Sequence, residues 1–118
     1  MKLRYEKSVR VMSDIMGYCH LIGCNRFKVD FEMKETTTEI TIVAEVPNIT
    51  EKQLKEMTKL LNMPRQHEVE QYYWNISGEE EIDNELSLAG MMTDEATVDY
   101  AEGVLTVTVL RCEDSSEA

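Results

Sequence analysis

The sequence predicts an α+β fold: a two-layer sandwich with about three helices on one face of a mixed or antiparallel sheet of roughly four to five strands. Three observations support that expectation. The segments Arg26–Lys34 and Ile40–Val46 alternate between apolar and polar residues and read as one hairpin, and Ala96–Tyr100 with Val104–Arg111 read as a second. Helical periodicity precedes and separates the hairpins, over Tyr5–Gly23, after Thr50 and up to Met92. Each alternating segment has one polar side, which suits a sheet covered on one face only.

In the first helix, Val9, Met12, Met16 and Cys19 form one stripe and Val11, Ile15, Tyr18 and Ile22 an adjacent one. Its C-terminal half should therefore be largely buried. Gly23 and Asn25 suit its exit. Phe27, Val29, Phe31 and Met33 then alternate with Lys28, Asp30, Glu32 and Lys34. Glu35–Thr38 reads as a polar turn, and Ile40, Ile42, Ala44 and Val46 form the returning strand. The short connection makes the pair antiparallel. Pro47 ends it.

Thr50-Glu51-Lys52-Gln53 is a capping box. The Thr50 hydroxyl can accept from the Gln53 amide while the Gln53 side chain reaches back. Leu54, Met57, Leu60 and Leu61 supply the apolar face, and Asn62-Met63-Pro64 stops the helix. Residues 65–76 fit a short helix, a strand or an ordered loop. Ser77-Gly78-Glu79-Glu80 is a second capping box, opening a helix whose inner face is Ile82, Leu86, Ala89 and Met92 or Met91. Acids fill its first turns, where the helix dipole favours them. Ala101-Glu102-Gly103 turns the second hairpin.

The 118 residues suit one domain, expected over 1–111, with an acidic disordered tail at 112–118. Twelve Lys and Arg against 23 Asp and Glu give a net charge of −11. Phosphate backbones and anionic membranes repel such a chain, so neither nucleic acid nor membrane is an expected partner. A basic protein surface is more plausible, although solubility alone explains much of the charge. The charge is uneven. Lys2, Arg4, Lys7 and Arg10 make the start basic, while Glu79–Glu85 and Glu113–Glu117 are acidic, a split that could support head-to-tail association. Cys19, Cys24 and Cys112 do not form a disulfide framework, and no N-terminal run resembles a signal or membrane segment. Reduced thiols in the cytoplasm are expected.

The order and boundaries of these elements resemble the ATP-binding domain shared by histidine kinases, type II topoisomerases and anti-sigma-factor serine kinases. The resemblance spans nearly the whole chain and is strongest at its end. Leu86–Val98 looks like the family's last helix leading into its terminal hairpin. Met92–Glu95 is similar to the Leu-Met-Asp-Glu ending of the serine-kinase branch, and Gly103–Val107 matches the closing strand.

The resemblance also implies where chemistry would sit, and there the chain departs. Family members carry E-x-x-x-N in the first helix, the Asn holding magnesium; here the run is Asp14-Ile15-Met16-Gly17-Tyr18. The family's D-x-G-x-G, whose Asp reads adenine, is matched by Glu45-Val46-Pro47-Asn48-Ile49. Its third-helix G-x-G becomes Asp83-Asn84-Glu85. Side chains in place of glycines block backbone approach to phosphate oxygens, and carboxylates there repel a triphosphate. The resemblance therefore implies a degenerate member that has kept the scaffold and lost the nucleotide site.

Other constellations are weaker. His20 and Cys24, with Cys19 and His67 or Cys112, could supply four zinc ligands, but no paired ligand spacing supports it. A buried thiol and a histidine at a helix end explain them more simply, so no metal or other cofactor is expected. Cys19 and His20 point about 100° apart and do not form a nucleophile–base pair. Asp14 and Glu45 are the weak candidates for catalytic carboxylates. Tyr72, Tyr73 and Trp74 are a possible interaction surface. The expected function is a non-catalytic regulatory or protein-binding module, its partner unidentified, with a homodimer possible because the serine kinases it resembles dimerise. The alternatives are a divergent ATP-binding protein or serine kinase, and a small-molecule sensor using the vacated cleft.

Overall fold

The computed structural model describes residues 2–66, 68, 70 and 85–113. Its elements are helix α1 (Lys2–Leu21), strands β1 (Phe27–Met33) and β2 (Thr37–Glu45), helix α2 (Glu51–Leu61), helix α3 (Glu85–Met91), and strands β3 (Glu95–Ala101) and β4 (Val104–Cys112). Two hairpins join through β2 and β4 into one four-stranded sheet, ordered β1-β2-β4-β3 and antiparallel at every contact among the described residues. The expected α+β class holds.

Alternation fixes which face is covered. Thr38, Ile40, Ile42 and Ala44 on β2, and Leu105, Val107, Val109 and Arg111 on β4, are buried beneath the helices. The residues between them belong to the opposite, helix-free face. α3 packs between α1 and α2, α2 also meets β3, and α1 meets β2. Leu86, Leu88, Ala89 and Met92 carry α3 into the core beside Val11, Ile15, Met57 and Leu61.

Local signals set the boundaries. The expected capping box at α2 forms in both directions: Gln53 N–H donates to Thr50 Oγ1 at 3.1 Å and Thr50 N–H to Gln53 Oε1 at 2.9 Å. Glu102 and Gly103 have φ of 51° and 77° between the paired residues Ala101 and Val104, the left-handed geometry a two-residue hairpin demands. The second capping box at Ser77–Glu80, and Ile82, lie outside the described residues.

Three boundaries differ from expectation. α1 begins before Tyr5, because Arg4 is held: it donates to Thr38 Oγ1 at 3.3 Å and to the carbonyls of Glu35 at 3.3 Å, Thr37 at 2.6 Å and Lys34. Thr37 and Thr38, expected in a turn, open β2 because they pair with Cys112 and Arg111. β4 runs on to Cys112, and Glu113 is buried, so order extends two residues into the expected tail. Glu113 N–H donates to Thr36 O at 2.7 Å, which fastens the chain there. Residues 114–118 lie outside the described residues.

Gly90 is the tightest helix–helix contact. A Cβ built there would lie 1.9 Å from the carbonyl oxygen of Leu60 and 3.0 Å from its carbon. Both obstacles are backbone, so α2 and α3 would have to move apart. Gly90→Ala should therefore destabilise the domain by about 2 kcal/mol or more despite alanine's better helix propensity. Urea unfolding of the two proteins measures this, and an unchanged midpoint would contradict the close packing.

Candidate functional site

The densest array of charged side chains in the described structure lies inside it. Arg111 continues the inward parity of Leu105, Val107 and Val109 and is fully buried. Its Nη1 lies 3.2 Å from Glu70 Oε1 and donates to Met92 O at 2.7 Å, while its Nε lies 3.2 Å from Glu113 Oε2. Lys7 Nζ, also fully buried, reaches Glu70 Oε2 at 3.0 Å. Arg65 adds Nε at 3.2 Å from Glu70 Oε1, and its Nη1 donates to Asp94 Oδ2 at 2.8 Å and to Cys112 O at 2.7 Å. Arg4 closes the set, 3.6 Å from Glu113 Oε2.

Burial alone would push the Glu70 carboxyl up. Arg111, Arg65 and Lys7 outweigh it and hold the group below its usual value. This is a structural device: every cation in it has a carboxylate partner. It also removes the basis for head-to-tail attraction from the N-terminal charges. Arg4 and Lys7 are inside the protein, paired with Glu113 and Glu70, and Arg10 Nε donates to Asp14 at 3.0 and 3.1 Å. Sequence reading missed the cluster. The available signal was Arg111 standing at an inward position of the most strand-like run.

The structure keeps the two candidate carboxylates apart. Asp14 is buried on α1, within the helical layer, beside Arg10. Glu45 ends β2 on the helix-free face, exposed, with its Oε2 3.4 Å from Arg26 Nε. They do not form an acid–base pair across one cleft. Tyr18, at the position where the resemblance expects an asparagine, has its hydroxyl pKa raised by burial, with Glu56 adding. Tyr72, Tyr73 and Trp74 lie outside the described residues, as do Asp83 and Asn84.

The cysteine and histidine positions fit the simpler expectation. Burial, with Cys24 nearby, pushes the Cys19 thiol up to about 12, so it stays protonated and a poor nucleophile. His20 Nδ1 lies 3.1 Å from Cys24 O at the end of α1, and Cys24 Sγ donates to Arg26 O. Cys112 pairs with Thr37 at the far end of β4, whereas Arg26 adjoins Glu45 at the near end. Cys24 and Cys112 therefore cannot share a metal ion. Among the described residues no three His, Cys, Asp or Glu side chains could hold one, and no helix is long and apolar enough to cross a membrane.

Two features mark the helix-free face among the described residues. A depression of about 240 Å³ at the sheet end is lined by Arg26, Lys28, Val43, Glu45, Glu102 and Gly103. That is below the roughly 300 Å³ at which ligand pockets usually begin. Beyond it, Thr41 and Thr108 face each other at 3.5 Å in the sheet centre, with Glu39, Glu95 and Asp99 around them. Neither a protein-family model nor a curated protein matches this chain.

The cluster makes the fold acid-sensitive in a defined direction. Because the folded Glu70 carboxyl is held below its usual value near 4.5, its contribution is complete above that pH and is lost as pH falls through the folded value. Glu70→Gln should cost about 3 kcal/mol at neutral pH, since it removes the buried carboxylate that Lys7, Arg65 and Arg111 share. It should also flatten the acid limb of stability below pH 4.5. Urea unfolding across that range checks both. A variant as acid-sensitive as the parent would mean another group controls the limb.

Proposed function

We propose that this chain is a non-catalytic regulatory or protein-binding module on an ATPase-type scaffold whose nucleotide site has been lost. The observation that carries the reading is the fate of the segment after β2. Where the resembled family cradles phosphate, this chain has Pro47-Asn48-Ile49, and the α2 terminus is closed by its own side chains. Thr50 and Gln53 use each other's amide N–H groups, so two donors a phosphate would take are already occupied. The separation of Asp14 from Glu45 supports the same reading, because a kinase would need its base and its adenine-reading acid at one cleft.

Binding falls to the helix-free sheet face. Its charged side chains include Arg26 and Lys28 against Asp30, Glu32, Glu39, Glu45, Glu95 and Asp99, on a floor of threonines with Val43, Val104 and Leu110. A basic protein surface fits it by charge.

Thermal unfolding with and without millimolar Mg-ATP separates this reading from the divergent kinase. Ligand at a hundred times its dissociation constant would add about 2.7 kcal/mol and raise the midpoint by about ten degrees in a domain of this size. The expected result is no shift; a rise of that order would establish a nucleotide site. The double variant Glu39→Lys, Glu95→Lys should keep the midpoint within about two degrees and abolish binding to the cognate protein. Undiminished binding would exclude this face.

A further inference from the structure

Among the described residues the sheet has two free edges, and they differ in kind. Among the described residues, β1 is paired on one side only. Arg26 O accepts from Glu45 N–H and Lys34 N–H donates to Thr37 O, so the even-numbered residues turn their backbone groups toward β2. By alternation, Phe27, Val29, Phe31 and Met33 turn theirs outward, a row of donors and acceptors open to another strand. The inward-parity side chains are poorly covered there. Val29 is 39% and Met33 36% exposed, and Tyr5, which packs edge-on against Phe31 with ring centres 6.0 Å apart, is 53% exposed.

The charges on β1 are what select an occupant. Lys28, Asp30 and Glu32 line the helix-free side, with Arg26 just before the strand. Lys28 and Asp30 have no ion-pair or hydrogen-bonding side-chain partner among the described residues, and Arg26 holds only an exposed contact with Glu45 at 3.4 Å. Charged side chains protect natural edges, and like charges that meet repel a second copy. Mixed signs do the reverse when the strand meets an inverted copy of itself.

We propose that the protein forms a twofold-symmetric homodimer by antiparallel pairing of β1 with β1 of a second copy, in the register that places Val29 opposite Val29, making one continuous eight-stranded sheet. In this register Lys28 faces Asp30 of the other copy and Arg26 faces Glu32, each twice by symmetry. Phe27 faces Phe31 on the helix side, where both are already half-buried. The outward backbone groups of Phe27, Val29 and Phe31 supply the ladder. The charged pairs fall at the non-hydrogen-bonded positions, where Cα atoms approach to about 4.5 Å and side chains interact most closely.

The neighbouring registers are worse for stated reasons. A shift by one residue would put apolar side chains on the wrong face. Centring on Asp30 sets Asp30 against itself and Arg26 against Lys34. Centring on Phe31 sets Asp30 against Glu32 and Lys28 against Lys34. The other free edge, β3, carries Glu95 and Asp99 and no cation, so self-pairing there gains no ion pair.

Charge exchange tests the proposal. Light scattering after size exclusion should give the parent protein twice its 13.6 kDa chain mass at micromolar concentration. Lys28→Glu alone and Asp30→Lys alone should each raise the dimer dissociation constant by at least about tenfold. An equimolar mixture of the two variants restores every opposite-charge pair and should dimerise again, as should the double variant Lys28→Asp, Asp30→Lys. Circular dichroism confirms that each variant is folded. In a Cys112→Ser background, Val29→Cys should cross-link to itself on mild oxidation, because residues opposite each other lie about 5.5 Å apart. Asp30→Cys should not. A parent protein that stays monomeric, or a dimer indifferent to the charge exchanges, overturns the proposal, and the reverse cross-linking pattern overturns the register.

Discussion

The ion cluster around Glu70 is the constraint on which the rest of the described structure depends. One carboxylate meets Arg111 from the last strand, Lys7 from the first helix and Arg65 from the segment after α2. Through Arg111 the cluster reaches Glu113, and through Glu113 it reaches Arg4 and Thr38. Both ends of the chain are thereby tied to its middle. Such a cluster contributes little net stability compared with apolar packing, but removing one member leaves others buried and unpaired. Its effect is on specificity. A chain folded with β4 displaced by one residue would turn Arg111 out and take it away from Glu70 and Glu113.

The hydrophobic layer above the sheet follows from that frame. α3 can sit between α1 and α2 because Gly90 lets its backbone come against Leu60. All the helices described then lie on one side, and no described residue outside the strands and their turns covers the opposite face of the sheet. The domain's exposed features, its acidic threonine-rich face and its β1 edge, both result from this two-layer arrangement. Face and edge share Lys28, Asp30 and Glu32, so pairing through β1 would use those three and leave Glu39, Glu95 and Asp99 of two copies on one continuous open face.

Much of this was legible locally. The hairpin alternation, the Thr50 capping box, the Glu102-Gly103 turn and the inner residues Leu86, Ala89 and Met92 depend on neighbours a few positions apart, and the structure contains them where the sequence places them. The boundaries failed where a distant residue decided. Thr37 and Thr38 look like turn residues until Arg111 and Cys112 pair with them, and Glu113 looks like a solvated tail until Arg4, Arg111 and Thr38 surround it. The basic start of α1 looks like a surface for the same reason.

The sequence by itself determined the class of fold, the two hairpins, the capped second helix and the absence of glycine from Glu45–Ile49. Those follow from periodicity and from backbone chemistry at single positions. Only the tertiary structure decided which charges are surface and which are core, and that Asp14 and Glu45 belong to different layers. Burial depends on contacts between residues up to a hundred positions apart, and charge alone does not reveal which side of the fold a side chain will occupy.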